Sequence, residues 1–189
     1  MHMATKTRRW TLADLERMPD DGNRYELVRG KLFVTPARRN AHQEIVAALN
    51  ALIAPYVWKH ALGQIHHPRA IVLIDGSQVE PDLMVRPSVS PPLPSWEDMP
   101  LPLLIVEVLS DTTRRRDLVD KREFYTDIGI AEYWIVDGDT RTFTVIHSNG
   151  KETRVSDTVL WHPSGAAEPL AIDVSAFFER VLGVAGSAL

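Results

Sequence analysis

The most constraining feature of the sequence is LLIVEVL, a continuous apolar run at residues 103–109. A run this short and this apolar is typical of a central β-strand that is covered on both faces. Glu107 interrupts the run, and burying an uncompensated carboxylate in such a strand is energetically costly. The Glu107 side chain must therefore be paired, protonated or bound to a cation, unless it lies close enough to the strand end to reach solvent or an arginine.

Four segments have the apolar spacing or the end signals that are typical of helices. Thr11 is a favourable N-cap for a short first helix, and Asn40 for a long second one. Gly129 is expected to end the third helix, and Asp173 or Ser175 to begin the last. The predicted helices are residues 11–15, 41–58, 113–128 and 172–182.

Short β-prone runs lie between these helices, so the predicted fold class is α/β. Turn residues join several of the runs into hairpins. Pro81 lies inside one strand, which must therefore bend there or lie at a sheet edge. Residues 86–102 contain six prolines and are expected to form a long loop. The predicted strands are two within residues 24–34, then 70–74, 79–85, 103–109, 132–136 and 141–146.

Composition narrows the class of protein. With 189 residues, of which 44% are hydrophobic, we expect a single globular domain over residues 1–189. There is no cysteine, which excludes a thiol nucleophile or a cysteine-based zinc site within this sequence. The net charge of -4 argues against a wholly basic nucleic-acid-binding surface but allows a local basic patch. No apolar run is long enough for a membrane span, so we expect a cytoplasmic protein without membrane contact.

Two further charged residues accompany Glu107. Asp82 follows a proline in an apolar strand, where the ordinary interpretation is a turn aspartate that bonds its own backbone. Lys121 lies one helical turn after Asp117 and one turn before Tyr125. These three residues therefore share one face of the predicted helix, which taken alone indicates a solvated face with an Asp117–Lys121 ion pair.

The order of these residues along the chain favours a shared site. A strand aspartate, a central-strand glutamate and a lysine on the next helix can meet at one end of a sheet. Two neighbouring carboxylates repel each other, and a hard divalent cation such as Mg²⁺ relieves that repulsion. Such a cation polarises a phosphoryl oxygen, while a lysine stabilises the charge that develops. The sequence therefore predicts a metal site at Asp82 and Glu107, with Lys121 beside it.

Three blocks of sequence, VEPDLMV, LLIVEVLSDTTRRRDLVDKREFY and GIAEYWIVD, together resemble the Uma family of proposed restriction endonucleases. That family lies within the PD-(D/E)XK nuclease superfamily. The upstream YELVRGKLF and the helix that contains His42 are also similar to its N-terminal part. The resemblance runs from about Tyr25 to Ile146. It implies a mixed sheet flanked by helices, with a restriction endonuclease-like core at about 24–148 and a C-terminal extension at 149–189.

The resemblance also implies an activity, the hydrolysis of DNA phosphodiester bonds with Mg²⁺ or Mn²⁺. Asp82 and Glu107 match the acidic positions of the family, and Lys121 would complete the catalytic set. The superfamily lysine normally lies two residues after the acidic residue, where this chain has Leu109, so Lys121 would supply the ammonium from the following helix. The alternative is a non-catalytic nuclease-like domain that binds nucleic acid or a protein partner.

Other residues are candidates for supporting roles. Glu26 and Glu44 compete for a third acidic role, and the resemblance favours Glu26. His42 is a candidate polar partner, although a surface position at a helix start is the simpler interpretation. Tyr125 either packs in the core, which we favour, or hydrogen-bonds Glu107.

Arg114, Arg115 and Arg116 open the third predicted helix, where positive charge opposes the helix dipole. Either nearby aspartates pair with them, or they form a patch that contacts DNA phosphates. Cleavage of both DNA strands usually needs two sites, so a homodimer is an expected assembly.

Overall fold

The computed structural model describes residues 8–36, 40–110 and 116–184, with the backbone alone described for Arg116 and Asp117. The helices of this part of the chain are α1 (Leu12–Leu15), α2 (Asn40–Lys59), a π-helix (Arg116–Lys121), α3 (Arg122–Asp127) and α4 (Val174–Leu182). Its strands are β1 (Arg24–Val28), β2 (Lys31–Thr35), β3 (Gln64–His66), β4 (Val72–Ile74), β5 (Ser77–Val79), β6 (Leu83–Arg86), β7 (Leu104–Val108), β8 (Glu132–Asp137), β9 (Thr142–His147), β10 (Glu152–Val155), β11 (Thr158–Trp161) and β12 (Leu170–Asp173). None of the helices in this part of the chain has the length and apolar character needed to span a membrane.

The central sheet has six strands in the order β10-β9-β8-β7-β6-β3. Strands β7 and β8 are parallel, and the other neighbours are antiparallel, so the sheet is mixed. A second, antiparallel sheet has the order β2-β1-β5-β4, and β11 pairs with β12. The mixed sheet with flanking helices confirms the predicted α/β class of fold.

Strand β7 is buried along its whole length, which confirms that LLIVEVL is a central strand. Successive side chains of a strand point to opposite faces. Leu104, Val106 and Val108 pack in the core cluster that contains residues of α2 and α4. Ile105 packs on the other face, in the cluster that contains residues of α3. Because Glu107 follows the same alternation as Ile105, it faces the α3 side.

The predicted strand at residues 79–85 is wrong in one respect, since it is two strands in two different sheets. Strand β5 ends at Val79 and pairs with β4 about the Asp75–Gly76 turn, whereas β6 begins at Leu83 and joins the central sheet. Pro81 lies between them, where its missing N–H would break a continuous ladder. Asp82 therefore lies at the junction of the two sheets.

Three helix boundaries also differ from the predictions. The predicted helix at 113–128 is π-helical from Arg116 to Lys121, and its first three residues lie outside the described chain. The closing helix begins at Val174, because Ile172 belongs to strand β12. The Asp173 side chain caps this helix by accepting from the Ala176 N–H, as one of the two predicted caps. Asn40 is the first residue of α2 rather than the residue before it.

Candidate active site

Lys121 joins two carboxylates in the interior of the molecule. Its Nζ lies 2.5 Å from Glu107 Oε1 and 2.7 Å from Glu26 Oε1. All three side chains are completely buried. The burial of Glu107 is therefore compensated by an ion pair with Lys121. A buried charge without such a partner would be energetically costly.

The helical segment that carries Lys121 is irregular. Lys121 is the last residue of the π-helix, a rare conformation that occurs mainly at functional sites. Tyr125, one turn further along, donates a hydrogen bond from its hydroxyl to Glu107 Oε1 at 3.1 Å. Burial and the neighbouring Glu107 raise the pKa of Tyr125 well above its usual value, so the phenol stays protonated and donates.

Asp82 immediately precedes β6, the strand that pairs with β7. Since Leu83 is in register with Val106, Asp82 falls one step beyond that pair, level with Glu107. Asp82 Oδ2 accepts from the Val108 backbone N–H at 2.9 Å and lies 3.0 Å from His42 Nε2. The side chain of Asp82 is completely buried.

The pKa of Asp82 depends on its burial and on the charged side chains around it. Burial by itself would raise that pKa, because it disfavours the carboxylate. The contact with His42 and the positive charges of Arg24 and Lys121 outweigh burial and hold the pKa below its usual value. Asp82 is therefore ionised at neutral pH.

Arg24 connects the two sheets at this site. Its Nη1 donates to Asp82 Oδ1 at 3.2 Å and to the Glu80 carbonyl oxygen at 2.9 Å, and its Nε lies 3.6 Å from Glu26 Oε2. The Glu80 backbone N–H in turn donates to Glu26 Oε1 at 2.9 Å. The carboxylates of Glu26 and Asp82 offset the effect of burial and raise the pKa of Arg24, so the guanidinium is charged.

The structure brings together six of the predicted site residues. They are Glu26, His42, Asp82, Glu107, Lys121 and Tyr125. Glu44 is exposed, in agreement with the preference for Glu26 as the third acidic residue. Arg114, Arg115 and the side chains of Arg116 and Asp117 lie outside the described residues, so the predictions made for them stay predictions.

One interpretation of a single residue was wrong, the surface position of His42, whereas both alternatives for Tyr125 hold. His42 is buried against Asp82 rather than lying on the surface at the helix start, because it is on the side of α2 that faces the sheet. Tyr125 both packs in the core and hydrogen-bonds Glu107, so the two alternatives were not exclusive.

Sequence reasoning missed Arg24. The signal that could have revealed it is its position two residues before Glu26 in β1, since residues at that spacing point to the same face of a strand. A buried carboxylate on that face needs a cation, and Arg24 is adjacent to it.

A pocket of about 300 Å3 opens beside Asp82. Its lining includes four buried residues, Thr35, His42, Glu80 and Asp82, and the partly exposed Arg24. Residues of the second sheet, of α2 and of the connection between β5 and β6 thus meet at one opening, which is the arrangement expected of a ligand site.

The cluster fits a hard divalent cation in its chemistry. Three carboxylates, those of Glu26, Asp82 and Glu107, face the cations Arg24 and Lys121, which leaves one formal negative charge with His42 neutral. Carboxylate oxygens are the ligands that Mg²⁺ and Mn²⁺ prefer. Within the described residues, however, no three histidine, aspartate or glutamate side chains stand in an arrangement that would hold a metal ion. Asp82 and Glu107 lie level with each other at the predicted metal position, and their role as metal ligands stays a prediction.

A solved structure shares this fold. The fold is similar to the crystal structure of "a putative nuclease belonging to DUF820" from Anabaena variabilis, with a TM-score of 0.76. The match covers 91% of this chain and 99% of that chain at 18% identity, a level that shows the fold alone.

The family follows from the sequence. The profile of the Uma2 family, described as "Putative restriction endonuclease", matches residues 12–174. The chain therefore belongs to the Uma2 family, which confirms the resemblance. No functionally curated protein matches the chain.

Proposed function

We propose that this protein is a metal-dependent DNA endonuclease that hydrolyses phosphodiester bonds. The observation that carries the proposal is the buried contact of Lys121 with Glu107, beside Asp82, within a nuclease-like fold. Buried ionised groups are costly and are found preferentially at functional sites. A purely structural core would be at least as stable with apolar residues at these positions.

In this proposal Asp82 and Glu107 hold Mg²⁺ or Mn²⁺. When bound, such a cation supplies Lewis-acid stabilisation of the phosphoryl oxygens. Arg24, His42 and the Val108 N–H fix the Asp82 carboxylate in position through their hydrogen bonds to it. A ligand that is fixed before binding loses little freedom when the ion arrives.

Lys121 and Tyr125 act on the other carboxylate. Both donate to Glu107 Oε1, which orients the carboxyl group. The Lys121 ammonium lies in a water-poor environment, where a charge stabilises a developing negative charge more strongly than in water. Its proposed catalytic role is to stabilise the phosphorane-like charge of the transition state.

A second candidate function is nucleic-acid or protein binding without turnover. The observation in its favour is that Lys121 Nζ already contacts both Glu107 and Glu26. A lysine held between two carboxylates is less available to a substrate than one that projects from a strand. Metal binding and cleavage distinguish the two candidates.

The test of cleavage uses supercoiled and linear DNA with Mg²⁺ or Mn²⁺, and compares wild type with Glu107→Gln and Lys121→Ala. We expect wild type to cut and both variants to lose activity by about a hundredfold or more, as for the loss of one group that stabilises transition-state charge. Circular dichroism checks that each variant is folded. Equal cutting by all three proteins would identify a contaminating nuclease and contradict the site.

The test of metal binding is thermal unfolding with and without Mn²⁺. We expect Mn²⁺ to raise the Tm of wild type, because a ligand that binds only the folded state stabilises it. The rise should be absent in Asp82→Ala and in Glu107→Gln. A Tm in wild type that does not respond to either metal would favour the non-catalytic candidate.

Two further parts of the proposal concern assembly and location. Cutting both strands of DNA would need two sites, so we propose that the active form is a homodimer in the cytoplasm. Analytical ultracentrifugation with and without DNA measures the assembly state. A protein that sediments as a monomer under both conditions would contradict the proposed homodimer.

A further inference from the structure

We infer that the site binds and cuts an unpaired nucleic-acid strand in preference to a continuous duplex, and that Arg69 at the pocket opening binds a phosphate of that strand. This inference rests on the proposed nuclease function. Its basis is the depth of the acidic residues, the size and lining of the pocket beside Asp82, and the placement of two arginines there.

The pocket has a buried floor and an exposed rim. Asp82, His42 and Thr35 on the floor have 0%, 6% and 3% of their surface exposed. The rim is formed by exposed residues, namely Gly22, Pro36, Gln43, Pro68 and Arg69. The carboxylates of Glu107 and Glu26 are completely buried behind this floor. A scissile phosphate must therefore enter a recess to approach Asp82.

A continuous duplex is poorly suited to such a recess. Duplex DNA is stiff, with a persistence length of about 50 nm, and its phosphates lie on the outside of a smooth rod. One phosphate of a duplex cannot move far from its neighbours without unstacking or unpairing of the bases. An unpaired strand has no such restraint, and enzymes that act inside a pocket work on single strands or on extruded nucleotides. A volume of about 300 Å3 is at the lower limit of small-molecule pockets, which suits one nucleotide unit better than a helix.

Arg24 supplies a cation with unused hydrogen-bonding capacity. Its Nη1 bonds to Asp82 and to the Glu80 carbonyl, but its Nη2 is buried and has no hydrogen-bond acceptor among the described residues. Buried donors without an acceptor are rare in folded proteins and call for a ligand or a water. A guanidinium is the side chain best matched to phosphate oxygens.

Arg69 supplies the second cation, at the rim. Its side chain is exposed, and its backbone has a φ of 82°, a left-handed conformation that is unusual for a residue with a Cβ. This turn lies close to the Glu80 carboxylate, since burial raises the pKa of Glu80 and the charge and the backbone of Arg69 offset part of that larger effect. Residues held in such conformations occur preferentially at functional sites.

The pocket also contains two carboxyl groups, those of Asp82 and Glu80. They repel a phosphate, so the guanidiniums of Arg24 and Arg69 have to offset them. Removal of Arg69 should therefore weaken strand binding measurably, although its side chain is exposed.

The first experiment compares three substrates of one sequence, a single-stranded oligonucleotide, a blunt duplex and a duplex with an unpaired flap, each with Mg²⁺ or Mn²⁺. We expect the single strand and the flap to be cut at least about tenfold faster than the duplex, since unpairing costs a few kcal/mol. A duplex that is cut as fast as the single strand would overturn the inference and leave the proposed function standing. Hydrolysis of bis(p-nitrophenyl) phosphate with no cleavage of any DNA would also overturn it, in favour of a small phosphate ester.

The second experiment measures binding by fluorescence anisotropy in EDTA, so that it does not depend on turnover. The proteins are wild type, Arg69→Ala and the control Arg180→Ala, whose exposed arginine lines a different pocket between α2 and α4. We expect Arg69→Ala to weaken single-strand binding about three- to tenfold and to lower the salt dependence by about one phosphate contact. Arg180→Ala should bind as wild type does. Equal binding of strand and duplex, or equal loss in both variants, would overturn the inference even if no cleavage is found.

Discussion

The two adjacent carboxylates of the site, Asp82 and Glu107, are held by different parts of the molecule. Asp82 lies at the junction of the two sheets and contacts a backbone N–H, a histidine and an arginine. Glu107 lies within a central strand and contacts the Lys121 ammonium and the Tyr125 hydroxyl, both from the helix on one face of the sheet. Asp82 is thus supported from several elements, whereas Glu107 depends on one helical segment. Of the groups that contact Glu107, Lys121 is the one whose loss is expected to lower stability the most.

The largest effect is expected for Lys121→Met. This change keeps the side-chain length and removes the charge between Glu107 and Glu26, which leaves two buried carboxylates without their shared cation. We expect a loss of about 3–5 kcal/mol in the free energy of unfolding, measured in urea at pH 7. Lowering the pH should reduce the loss, because protonation neutralises the two carboxylates.

The matched control is Lys59→Met. Lys59 pairs with Glu168, and both side chains are more than half exposed. An exposed ion pair contributes about 0–1 kcal/mol, so this variant should unfold nearly as wild type does. If the two variants lose similar amounts of unfolding free energy, the buried ion pairs of Lys121 stabilise the protein no more than an exposed ion pair does.

A smaller effect on stability is expected when the Asp82 carboxylate is protonated at low pH. Its pKa is lowered in the folded state, so its ionised form contributes stability above the unfolded pKa of about 3.8. That contribution is lost as the pH falls through the lower, folded value. The part of the stability difference between wild type and Asp82→Asn that comes from the Asp82 charge should therefore shrink below about pH 3.8. Urea unfolding at several pH values measures it, and a difference that grows on acidification would contradict the assigned charge state.

The smallest effect is expected for Tyr125→Phe. The change removes one hydroxyl donor to Glu107 and leaves the ring in the core. We expect a loss of about 1 kcal/mol in stability, with a much smaller loss of activity than for Lys121→Ala. Tyr25→Phe is the control, because its hydroxyl bonds to Asp21 at an exposed position and should contribute less. A loss of activity as large as that of Lys121→Ala would mean that Tyr125 has a catalytic role of its own.

Much of the local structure was predictable from sequence patterns. The hairpin of β1 and β2, helix α2, the central strand β7 and the hairpin of β8 and β9 all confirmed predictions made from periodicity and turn residues. Strands β3, β10, β11 and β12 were missed. They are only three or four residues long, and such runs carry little periodicity. The boundary between a core and an extension at residue 148 stays a prediction, although Trp161 and Phe178 pack in the same cluster as Trp134.

By itself, the sequence determined that Glu107 lies in an apolar strand, where a buried carboxylate needs compensation. It also placed Asp82, Glu107 and Lys121 in an order that favours one site. Only the tertiary structure decided what compensates each charge. Glu26 meets Lys121 across 95 positions of the chain, and His42 meets Asp82 across 40. Contacts between residues so far apart leave no local periodicity, so they become visible only when the two sheets and the helices are packed together.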